Sequence, residues 1–212
     1  MPLRYAQTRD IERMYDADTL YDQRYKDIQF EKFDLLLANA ERELQAKGSR
    51  KDTIRDSLND IVIDVGCGSG LLASFFSARG LLGGMRYVGI DISGGLLVVA
   101  RSKFSLRPGT SFVQATADAL PLRSGITSIV FSISIYQNLD ARQQASFFDE
   151  ITSILSTQRA TFLFSFLDKP PLCDNITEIT EILESKFDSI KLLEKDWRIE
   201  DRLIVCSDAT DS

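Results

Sequence analysis

The chain has 212 residues, enough for one α/β domain with a full core and too few for a dinucleotide-binding domain plus a separate substrate domain. Its 44% hydrophobic and 26% charged residues are ordinary for a soluble globular protein, and a net charge of −6 supplies no overall attraction to phosphate backbones. The absence of histidine removes the commonest general base and metal ligand, and with them Ser-His-Asp hydrolysis and histidine-bound zinc.

No window approaches the about 18 apolar residues of a membrane span, and Met1-Pro2-Leu3-Arg4 lacks a signal-peptide core. A cytoplasmic protein with no membrane partner is expected. Cys67, Cys173 and Cys206 have no metal-ligand spacing and read as structural.

Residues 1 to about 57 read as helical, with Gly48 suited to the stop. Tyr21, Tyr25, Ile28, Gln29, Lys32, Phe33, Leu36 and Leu37 recur at i, i+3 and i+4 and so share one face. Phe33, Leu36 and Leu37 read as packing on a sheet. Tyr21, Tyr25 and Gln29 are amphipathic or polar and are placed to form a lid over a ligand; plain packing on the sheet edge is the other reading, and the sequence leaves both open.

Ile61-Val62-Ile63-Asp64-Val65 reads as a buried parallel strand. Gly66, Gly68 and Gly70 then turn the chain into an apolar helix from Leu71 to Ala78. A loop at this position lies where ligands bind in open α/β sheets and where free helical N–H groups collect. A second strand, Arg86 to Ile90, ends in Asp91, an acid placed to accept both hydroxyls of a ribose. Ser93 caps a helix through Ala100, and Ser111 to Ala115 is a third strand. Ala117-Asp118-Ala119-Leu120-Pro121-Leu122 follows. Ser128 to Ile133 is a fourth strand, leading into Ser134-Ile135-Tyr136-Gln137-Asn138-Leu139. Asp140 caps a helix to about Leu155, Ala160 to Phe166 is a fifth strand, and Thr177 to Phe187 is a helix. Ser189 to Leu193 and Leu203 to Ser207 form a terminal antiparallel pair.

Gly66, Gly68 and Gly70 space as G-x-G-x-G, and Leu71 stands where the dinucleotide fingerprint needs a small residue. D-V-G-C-G-S-G followed by V-G-I-D-I-S resembles the class I S-adenosylmethionine-dependent methyltransferases over residues 61 to 207. The resemblance implies an α/β, doubly wound, mostly parallel seven-stranded sheet of order 3-2-1-4-5-7-6, with helices on both faces. The expected division is a helical cap over 1–57, the methyltransferase domain over 58–207 and a frayed tail over 208–212. It implies that S-adenosyl-L-methionine is held by Asp64, Gly66, Cys67, Gly68 and Gly70 in the loop and by Asp91 and Ile92 at the ribose. Asp118 and Ala119 would meet the adenine, with Ser132 at the end of the fourth strand. Tyr21, Tyr25, Gln29, Tyr136, Gln137 and Asn138 would face the acceptor.

Two positions depart from the related families: Ser128 replaces an acid, and Ser156-Thr157-Gln158-Arg159 replaces a Pro-Gly-Gly-like turn. Methyl transfer from a sulfonium needs the acceptor held in line more than it needs a strong catalytic group. No catalytic base is identified, and no metal is expected. The segment Ser134 to Asn138 lacks the proline pair of amide and adenine-N6 methylases, and no Pro-Cys nucleophile is present. The A-D-A-L-P-L run resembles small-molecule enzymes of the quinone-biosynthesis kind, whereas S-I-S-I-Y-Q also resembles guanine-N7 enzymes acting on RNA. The resemblance therefore implies a methyltransferase with a small-molecule acceptor. The alternatives are an RNA or protein methyltransferase working with an adaptor subunit, and a non-catalytic scaffold.

Overall fold

The computed structural model describes residues 20–46, 58, 61–156, 160–167 and 176–209. Seven strands, β1 (Ile61–Val65), β2 (Arg86–Asp91), β3 (Thr110–Gln114), β4 (Ile129–Ile133), β5 (Thr161–Leu167), β6 (Phe187–Leu192) and β7 (Asp201–Ala209), form one sheet. Their order is β3-β2-β1-β4-β5-β7-β6, as expected. The first five strands pair in parallel, and β7 runs antiparallel to both β5 and β6. The carboxyl ends of β1, β2 and β4 therefore open at one edge. Chain order reverses direction there between β1 and β4, which leaves a crevice.

The helices are α1 (Tyr21–Ala46), α2 (Leu71–Ala78), α3 (Gly94–Phe104), α4 (Ala141–Ile154) and α5 (Ile176–Glu184). Alternation along each strand sends successive side chains to opposite faces. Val62, Phe131, Leu163 and Val205 meet Phe33 and Leu36 of α1 and Phe75 and Phe76 of α2 on one face. Ile63, Val130, Phe162 and Ile204 meet Phe147, Phe148 and Ile151 of α4 and Leu183 of α5 on the other. Asp140 accepts from Gln143 N at 2.9 Å while Gln143 Oε1 accepts from Asp140 N at 3.1 Å, closing a capping box on α4. The Ser93 hydroxyl caps α3 through Leu96 N at 3.1 Å.

Helix α1 lies across the first face. Among the described residues ion pairs hold it at five places: Asp22 to Lys103 of α3, Asp34 to Arg79 just past α2, Glu31 to Arg198, Lys32 to Asp201 of β7, and Glu43 to Lys191 of β6. The exposed pairs each stabilise little; burial of Phe33 and Leu36 sets the position of the helix. The stop expected at Gly48, the tyrosines Tyr5 and Tyr15, the turn at 157–159 and Cys173 lie outside the described residues.

Candidate functional site

The loop from β1 to α2 has the backbone its glycines require. Gly66, Gly68 and Gly70 have φ of 83°, 52° and 80°, in the left-handed region that glycine adopts without a Cβ clash. Space is as restrictive as conformation: a Cβ on Gly66 would stand 2.1 Å from Ile135 Cγ2. Gly66 N and Cys67 N donate to Ile90 O at 2.7 and 3.0 Å, which ties the loop to the end of β2. Cys67 is buried, and burial pushes its thiol well above the usual range. Its sulfur packs where Gly89 has no side chain, since a Cβ there would come within 2.8 Å of Cys67 Sγ.

Asp91 is the hinge of this geometry. Its Oδ2 accepts from Gly68 N at 2.7 Å and its Oδ1 from Ser93 N at 2.8 Å. Asp91 also lines the crevice beside Gly66, Gly68 and Ile92. The carboxylate therefore shapes the loop and faces the ligand space together.

Asp64 lies beneath the loop, fully buried, and accepts from the Tyr87 hydroxyl. Burial pushes it up to about 7; the Tyr87 hydrogen bond opposes that rise and the Asp91 charge adds to it. Asp64 borders a smaller recess with Gly66, Gln29 and Ile133, under α1.

The main crevice is walled largely by apolar side chains, among them Leu96, Ile133, Ile135 and Leu139. Thr116 and Ala117 line it on the β3 side, while Asp118 stands back from it and accepts from Gln143 Nε2 at 3.2 Å. Ala119 N donates to Thr116 O at 3.3 Å within a turn. Ser132 is wholly buried in β4, and its Oγ has no hydrogen-bond partner among the described residues.

The six residues expected to face the acceptor separate. Asn138 lines the crevice. Gln137 braces it from outside, donating to Ser134 O at 2.6 Å and accepting from Leu167 N at 3.2 Å. Tyr136 is 7% exposed and stacks on Phe148 with centroids 5.3 Å apart, so its ring belongs to the aromatic core of the second face. Tyr25 is 41% exposed and points away from the packed stripe of α1, whereas Gln29 is buried in the recess. The side chain of Tyr21 lies outside the described residues.

What covers this edge of the crevice from α1 is a pair the tyrosine pattern did not single out. Lys32 and Asp201 form an ion pair at 2.9 Å, with side chains 6% and 5% exposed. Ser134 joins them: its Oγ accepts from Lys32 Nζ at 2.8 Å and donates to Asp201 Oδ2 at 2.6 Å. Ser165 Oγ donates to the same Oδ2 at 2.7 Å. Ser134 has φ of 61°, a strained value for a residue with a Cβ. The available signal was Lys32 itself, a charge set within an otherwise buried stripe beside Phe33. At the other end of α1, Asp22 accepts from Ser69 Oγ of the glycine loop and from Lys103 of α3.

Among the described residues no group of three or more His, Cys, Asp or Glu is placed to hold a metal ion, and no helix is long and apolar enough to cross a membrane.

Residues 62–158 match a family model described as a methyltransferase domain. No curated protein matches the sequence. Solved structures share the fold. A Haloferax volcanii protein solved in complex with the Trm112 methyltransferase activator is 18% identical, with a TM-score of 0.65 over 93% of this chain and 97% of that one. A SAM dependent methyltransferase from Aquifex aeolicus is 15% identical, with a TM-score of 0.56 over 96% and 99%. The PH0226 protein from Pyrococcus horikoshii is 16% identical, with a TM-score of 0.60 over 91% and 93%.

Proposed function

We propose that the chain, whose residues 62–158 match a methyltransferase-domain family model, is an S-adenosylmethionine-dependent methyltransferase that methylates a small-molecule acceptor bound in the crevice beyond Asn138. The observation that carries this reading is the crevice itself. Its walls are largely apolar, with a few polar groups at Asp91, Asn138 and Gln143, as in a site that takes a small ligand. A net charge of −6 supplies none of the long-range attraction that a nucleic-acid acceptor calls on.

The residues fit the cofactor they would hold. Gly68 and Asp91 line the crevice at the loop, where a carboxylate suits vicinal hydroxyls, and the apolar strip of Ile92 and Leu96 suits an adenine face. Bound there, the cofactor supplies an electrophilic methyl carbon on a sulfonium. The chain supplies position, exclusion of water by α1, and a polar end at β4.

A second reading has its own support. One similar structure is a complex with a methyltransferase activator, and α3 exposes Val98 and Val99, with Leu106 93% exposed just past its end. Such a strip suits an adaptor that would bring an RNA or protein acceptor.

Incubating the protein with methyl-labelled cofactor and a cell extract, then separating metabolites, RNA and protein, tests the choice. Enzyme-dependent label in the metabolite fraction is expected. Label in RNA or protein alone would overturn the small-molecule reading.

A further inference from the structure

The groups expected at the adenine end of the crevice are engaged inside the protein. Asp118 Oδ1 accepts from Gln143 Nε2 at 3.2 Å, and Ala119 N donates to Thr116 O at 3.3 Å within its turn. The next backbone donor, Leu120 N, is taken by Glu150 Oε2 at 2.8 Å. Asp118 stands back from the crevice, whereas Gln143 lines it together with Thr116 and Ala117.

Gln143 lies in the first turn of α4, three residues past the cap, and its amide is held at both ends. Oε1 accepts from Asp140 N at 3.1 Å as half of the capping box, and Nε2 donates to the Asp118 carboxylate. One neighbour is a donor and the other an acceptor, so both set the amide the same way round. Turning it over would bring oxygen against a carboxylate and NH2 against an N–H. A glutamine amide has two lone pairs on oxygen and two hydrogens on nitrogen. One of each is used, and one of each is left among the described residues. Gln143 therefore carries an acceptor and a donor side by side, in a fixed order, in a crevice walled largely by apolar side chains.

We propose that Gln143 reads the base of the cofactor, in the place expected for Asp118 and Ala119. The inference rests on the reading that the crevice holds S-adenosylmethionine. Adenine presents its amino group next to a bare ring nitrogen, a donor beside an acceptor. A glutamine amide meets that pair with two hydrogen bonds. Hypoxanthine has a carbonyl where adenine has the amino group, so Gln143 Oε1 would face another oxygen. The amide cannot turn to suit it without breaking its bonds to Asp140 and Asp118. Gln143 is a specificity-determining residue, and Asp140 and Asp118 are positioning residues.

S-inosylhomocysteine differs from S-adenosylhomocysteine in that one change of base and is the probe. Calorimetric titration of both compounds into the full-length wild type and Gln143→Leu gives the ratio of their affinities. The wild type is expected to prefer the adenosyl compound, and Q143L to lose about tenfold of that preference. A weakened helix cap alone would lower both affinities together and leave the ratio as it was. An unchanged ratio in Q143L would therefore overturn the inference. A crystal structure of the wild type with S-adenosylhomocysteine gives a readout independent of the variant. The Gln143 amide within about 3.2 Å of the adenine amino group and a ring nitrogen supports the inference. An adenine edge bonded to the turn at 116–120, with Gln143 bonded only to Asp140 and Asp118, contradicts it. Failure of the wild type to bind S-adenosylhomocysteine at all would instead overturn the cofactor reading.

Discussion

Lys32 Nζ stands 2.9 Å from Asp201 Oδ2, joining the amino-terminal helix to the last strand of the sheet across 169 residues of sequence, with both side chains removed from water. The pair spans the edge where β4 and β5 end, so the helix covering the crevice is fastened at the crevice wall. Two serines complete the carboxylate's shell, and each hydroxyl comes from a different parallel strand or its end. Desolvating two charges is costly, and the arrangement is stable because Asp201 Oδ2 receives three donors at 2.6 to 2.9 Å.

Replacing Lys32 by Met should therefore destabilise the protein by about 3–5 kcal/mol, because a buried carboxylate loses its counter-charge. Replacing both members, as Lys32→Met with Asp201→Leu, should recover much of that loss. Urea denaturation of the wild type, the single variants and the double variant measures the coupling. Additive losses would show that the two side chains stabilise the fold independently.

Asp64 makes stability depend on pH. Its folded value of about 7 lies above the ordinary 3.8, so the folded state holds a proton that the unfolded chain releases. The favourable contribution is complete below about pH 4, and it is lost as pH rises through about 7, at up to about 1.4 kcal/mol per pH unit. Asp64→Asn keeps an acceptor for the Tyr87 hydroxyl and cannot ionise. The stability of the variant relative to wild type should rise between pH 4 and 7 and stay level above that. Parallel stability profiles across this range would contradict the assignment.

Much of this architecture was legible because the relevant signals are local. The glycines at 66, 68 and 70 announce a left-handed turn, and Ser93 and Asp140 announce helix starts; the caps form as the sequence indicates. β-Strand order followed from resemblance. Local pattern fails at Tyr136, whose phenol reads as a pocket residue in an otherwise polar stretch. Four surrounding phenylalanines (Phe147, Phe148, Phe164 and Phe166) from one helix and one strand claim it for the core. Helical spacing correctly placed Phe33 and Leu36 inward, but weighted aromatic Tyr25 over Lys32, although a lysine can be buried when its partner arrives from elsewhere. Asp201 lies 169 residues away and carries no motif. Only the tertiary fold brings that partner to Lys32.

The central claim is that the crevice at Asp91 holds the cofactor, and calorimetric titration of S-adenosylhomocysteine into the full-length protein tests it most directly. One equivalent should bind the wild type. Asp91→Ala should bind at least tenfold more weakly, since charge-assisted hydrogen bonds to the ribose are worth about 1.5–3 kcal/mol each and Gly68 N and Ser93 N lose the carboxylate that shapes the loop. Absence of binding to the wild type, or equal affinity in the two proteins, would contradict the account.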